Sequence, residues 1–94
     1  MNLSRFKESL SGKEPLPNTS VYLKALWYEA NGGWDKAHTL IQDVEDKNAY
    51  WIHAYLHRKE GEIGNAEYWY RLAGKKRPTV SLLEEWDEIV SALI

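Results

Sequence analysis

The chain has 94 residues, enough for one domain, with 12 Lys plus Arg against 14 Asp plus Glu and a net charge of −2 when its histidines are neutral. Hydrophobic residues make up 44% and charged residues 28%, with 6 Gly and 3 Pro, a balance that excludes disorder and collagen-like structure. The lack of cysteine removes disulfides, thiol catalysis and Cys-based zinc sites, and the slightly acidic charge argues against nucleic acid as a partner.

In chain order, Leu3, Phe6 and Leu10 recur at helical spacing until Gly12, Pro15 and Pro17 intervene, which predicts a short helix and an extended turn over residues 1–18. Asn18, Thr19 and Ser20 offer N-caps to a second helix reaching about Asn31, whose apolar residues are spread too widely for one wet side. Gly32 and Gly33 stop it. A third helix is expected from about Asp35 to Glu45 on the stripe Ala37, Leu40, Ile41 and Val44. Asp46 or Asn48 caps a fourth that ends near Glu60, and a fifth spans about Gly64 to Ala73. After the basic connector Lys75–Pro78, Ser81 and Glu84 have capping-box spacing and open a last helix. Its acids Glu84, Glu85, Asp87 and Glu88 read as a solvated face beside the apolar stripe Leu82, Trp86, Ile89 and Leu93. No segment alternates with period two, so no strand is assigned.

Residues 32–37 and 61–66 align at a shift of 29, which also brings Ala25 onto Ala54, Ile41 onto Tyr70 and Tyr28 onto His57. Each unit reads helix, glycine turn, helix, with a small residue where two helices must approach closely. A helix pair cannot bury both of its apolar faces alone, which is the physical reason to stack a second pair on it.

On these residues the chain resembles the tetratricopeptide-repeat family: Gly61, Ala66, Tyr70, Ala73 and Pro78, with Tyr50 and Ala54, follow the family's order of small and aromatic positions. Gly32, Trp34 and Ala37 follow it more loosely, and the 29-residue shift is shorter than the family's usual period. The strings WDKAH, WIHAYLHRKEG and NAEYWYRLAG also resemble those of a group of small microbial proteins. The resemblance implies an all-α, right-handed stack of antiparallel hairpins with about six helices: residues 19–46 and 47–78 as the two hairpins, 79–94 as a capping helix. It implies a binding role and no enzyme.

Two constellations carry the candidate chemistry. His53 and His57 lie four apart on one helix, and His38 lies on the helix expected to pack against it, so the three imidazoles can converge between the hairpins. Three imidazoles with an open position can hold zinc or another divalent metal, and also suit a small-molecule pocket. The plainer alternative is a polar core network. Trp51, Tyr55, Arg58 and Lys59 share the other side of the fourth helix, where the resemblance implies a partner groove, and an aromatic floor with cationic rims suits an acidic peptide. The plainer alternative has the two rings packed on neighbouring helices. Of the consecutive Tyr68, Trp69 and Tyr70, the last is expected in the core, and the others against the last helix, solvent or a second copy in a homodimer. With no apolar run of membrane-spanning length and no leader-like opening, the expected location is the cytoplasm. The expected function is a non-enzymatic protein- or peptide-binding module without a cofactor, the rival being a metal or small-molecule site on the histidines.

Overall fold

A computed structural model describes all 94 residues as six helices and no strands. They are α1 (Leu3–Ser9), α2 (Val21–Ala30), α3 (Trp34–Ile41), α4 (Lys47–Lys59), α5 (Ile63–Leu72) and α6 (Leu82–Leu93). No helix is long and apolar enough to cross a membrane.

Local chemistry sets most boundaries. Ser20, Asp46 and Ser81 take extended backbone and accept from the N–H of Leu23, Ala49 and Glu84, satisfying donors that a helix start leaves free. For α6 only this hydroxyl arm of the expected capping box is formed. Gly32 and Gly61 sit at φ +85° and +77°, a left-handed conformation that a side chain would strain. There the N–H groups of Gly33 and Glu62 reach back five residues to the carbonyls of Tyr28 (2.7 Å) and His57 (3.0 Å), closing each helix with the same motif. The 29-residue shift is therefore a repeat of backbone geometry as well as of residue type. Helix α3 ends four residues earlier than expected. The N–H of Val44 turns back to Ile41 (3.1 Å), and Asp46 must be extended (φ −150°, ψ 167°) to cap the next helix.

The three-residue turns fold α2 against α3 and α4 against α5, and the pairs meet where α2 and α3 pack on α4. Ala25, Ala37, Ala54 and Ala66 are each fully buried, the small residues that allow this close approach. Helix α6 lies across α2 and α4, burying Trp86, Ile89 and Val90, and α1 closes on it through Phe6, whose ring centroid is 5.8 Å from that of Trp86. The large rings keep their polar edges satisfied. The indole N–H groups of Trp27, Trp34, Trp51 and Trp86 donate to Ser9 O, Leu56 O, a Glu85 oxygen and Leu26 O.

Two expectations are corrected here. Glu85 is no part of a solvated face: it is completely buried. The last helix does not cover Trp69, which stacks on His53 instead, while Tyr68 stays half exposed.

Candidate functional site

Helix α4 presents a polar cluster on each of two sides. On the first, His53 and His57 sit one turn apart with stacked rings (centroids 4.9 Å), and α3 brings His38 edge-on to both, at 4.8 and 5.2 Å. One ring nitrogen from each lies within 4.8 Å of the others. His38 Nε2 and His53 Nε2 are 3.1 Å apart, so one donates to the other. Two tryptophans bracket the cluster: Trp34 stacks on His38 at 4.9 Å and Trp69 on His53 at 3.9 Å. The Trp34 indole N–H donates to Leu56 O at 2.8 Å, which fixes α3 on α4 at the height of the histidines.

His57 Nδ1 is 2.9 Å from Glu62 Oε1. A carboxylate only accepts, so His57 Nδ1 carries a proton and donates to Glu62. Glu62 is held there because it follows the Gly61 turn and its N–H caps His57 O. Burial holds the pKa of His53 down to about 4, with the facing His38 and His57 adding to the effect. Burial also lowers His38, and the neighbouring His57 lowers it further. At neutral pH these are uncharged imidazoles, the form that binds metals.

The other cluster surrounds a buried acid. The Glu85 carboxylate accepts from Tyr70 Oη (2.6 and 2.8 Å), Arg58 Nη1 (2.8 Å) and Trp51 Nε1 (3.2 Å). The second Arg58 amino group donates to Val80 O. Burial and then the facing Glu85 raise the Tyr70 pKa, keeping its hydroxyl protonated as a donor.

The four residues expected to line one partner groove are thereby divided by α6. Trp51 and Arg58 are engaged by Glu85, and Tyr55 is only 3% exposed. Lys59 reaches back to the buried Glu29 carboxylate. A single open stripe of Trp51, Tyr55, Arg58 and Lys59 does not exist, because Arg58 and Lys59 pair with two acids that the apolar faces of α6 and α2 carry inward, and Tyr55 is buried. Sequence reasoning missed both acids, together with Glu62 and the two bracketing tryptophans. A signal was available: Glu29 follows Ala25 and Leu26 at spacings of four and three, and Glu85 lies three after Leu82 and four before Ile89, so each stands inside an apolar stripe. No protein-family model, curated protein or solved structure matches the chain.

Proposed function

We propose that the protein is a small helical module that binds a divalent transition-metal ion, zinc in the first instance, between His38, His53 and His57. The observation that carries this reading is the convergence of three imidazoles, one nitrogen of each within 4.8 Å of the others, from two helix pairs. Nitrogens bound tetrahedrally to zinc at ~2.0–2.1 Å stand roughly 3.4 Å apart. The His38–His53 pair, at 3.1 Å, is already near that spacing, and the remaining distances need to contract by at most about 1.4 Å. The Glu62 carboxylate on His57 is the outer partner that metal-ligating histidines ordinarily carry. With three protein ligands the fourth position is left to water or a ligand.

The test is a titration of the purified chain with Zn2+ by calorimetry, followed by melting with and without chelator. One ion per chain is expected, with stabilisation of about 2.7 kcal/mol at a hundredfold excess over Kd. His53→Ala should lose the ion. Melting that ignores both zinc and chelator ends the proposal.

A second reading, the protein-binding scaffold that the tetratricopeptide likeness suggests, is favoured by a different observation. Arg71, Lys75, Lys76 and Arg77 line a cleft of about 390 Å3 with Tyr70 and Glu67; none of the four forms an ion pair, and Lys75 lies over the Trp51 ring at 4.0 Å. Four cations against one acid suit an acidic protein segment. Reversing Lys75 and Lys76 to Glu should abolish binding of a synthetic acidic peptide, and unchanged binding would exclude this surface.

A further inference from the structure

Helices α1, α2, α4 and α6 leave between them a second cleft, of about 390 Å3, remote from the histidines. Its walls are built by Leu10, Ala30, Leu83 and the Trp86 ring, with Lys7 on the α1 side turned to Asp87. Its floor carries Glu29 and Tyr55, which are 2% and 3% exposed. A carboxylate at that depth must be paired with a cation. The cation present is the Lys59 ammonium, whose side chain is 43% exposed and reaches in from solvent. The surroundings add to the demand. Glu29 lies in the last turn of α2 and Lys59 is the last residue of α4, so the carbonyl ends of two helices meet here, and helix C-termini favour positive charge.

We propose that this cleft binds a small organic ammonium ion, a primary amine carried on an apolar body, with the amine replacing Lys59 on Glu29. Exchanging one ammonium for another leaves the charge balance of the buried carboxylate unchanged. The gain comes from the ligand's apolar body, which covers Leu10, Ala30 and the Trp86 face, surface that the lysine stem leaves open. Lys59 returns to water, where a long flexible side chain recovers its rotamer freedom. Tyr55 stays a neutral hydroxyl beside the site, because burial and then the Glu29 charge push its pKa up. The floor therefore offers the ligand acceptors and a neutral hydroxyl; of the two lysines that line the cleft, Lys7 is held by Asp87 at 3.0 Å and Lys59 is the one that can leave. A carboxylate-bearing ligand would meet the Glu29 charge at close range and be repelled.

The experiment follows the Trp86 indole N–H resonance on adding 2-phenylethylamine, 2-phenylethanol or 3-phenylpropanoate to the intact chain. Saturable binding of the amine, at least about tenfold tighter than the alcohol or the acid, is expected. This ratio is read in the unaltered protein and needs no variant to fold. Equal binding of amine and alcohol, or a preference for the acid, overturns the proposal. Three substitutions then place the charge. Glu29→Gln should weaken the amine by at least about tenfold, and Lys59→Met should tighten it by removing the competitor. Ala30→Leu, at an exposed wall position, should block the cleft while leaving both charges in place. Amine binding unaffected by Glu29→Gln or by Ala30→Leu, or weakened by Lys59→Met, also overturns it.

Discussion

The two polar clusters on α4 are both buried, both aromatic and both assembled from several helices, yet they differ in how completely their polar atoms are matched. Around Glu85, an acceptor-only group meets three donors, with Tyr70 (its hydroxyl shared between both carboxylate oxygens), Arg58 and Trp51 all turned toward it. Such a network is matched internally and holds α6 to α4 and α5. Around His53, three imidazoles share one N···N bond, and one nitrogen of each lies within 4.8 Å of the others. Neutral imidazole has one donor and one acceptor, so three rings crowded together cannot satisfy each other as a carboxylate satisfies its donors. The first cluster is complete as it stands.

The largest expected effect tests the closed network. Glu85→Ala removes the shared acceptor and leaves the Arg58 guanidinium, with a side chain 14% exposed, without its counter-charge. Breaking one side of a buried pair costs about 3–5 kcal/mol, which urea denaturation can resolve. The single substitution also frees Tyr70 Oη and Trp51 Nε1, so α6 should loosen from both α4 and α5. Stability within 1 kcal/mol of the parent would mean that the carboxylate is ordinary surface, as its sequence context suggested.

That sequence context explains what was legible and what was not. Helix identity, the two glycine turns and the four close-contact alanines could be read because each is decided by a few neighbouring residues. The convergence of His38, His53 and His57 was legible for a similar reason: one pair is fixed by helical spacing, and the third by which helices pack together. The burial of Glu85 was not, since it depends on donors from α4 and α5 that only the tertiary arrangement brings to it. The same dependence hid Glu29, and with it the division of the Trp51–Lys59 stripe. An acid inside an apolar stripe was the available clue, but the last helix's other acids, which complement its N-terminal dipole, made Glu85 look like one more of them.

The imidazole cluster should reveal itself in the pH dependence of stability. The folded-state pKa of His53 is about 4, below its ordinary value of 6.5, with burial as the leading cause. Between these values the unfolded chain binds a proton that the folded chain refuses, so unfolding becomes easier as pH falls from 6.5 toward 4. The shift, discounted for solvent screening, corresponds to about 2 kcal/mol. His38, also lowered, changes stability in the same direction. Urea midpoints at pH 7 and 4.5 for the parent and for His53→Gln give the measurement. An equal pH slope in both would remove His53 as the source.

The smallest effect separates a ligand-ready cluster from a closed one most sharply. Glu62 fixes the His57 proton on Nδ1, but its side chain is 51% exposed, so little folding energy depends on it. Glu62→Gln keeps the length and the hydrogen-bonding atoms while removing the charge that makes His57 a stronger donor of its Nε2 lone pair. If the cluster is a metal centre, zinc affinity should fall by roughly tenfold, about 1.4 kcal/mol, with melting of the metal-free chain unchanged. If the histidines are only core packing, the substitution should have no zinc affinity to alter. The Glu85 cluster has no comparable position, because every group that tunes its carboxylate is also one that the fold requires. A substitution that would change zinc affinity without changing stability therefore has no counterpart among the groups that bond the Glu85 carboxylate.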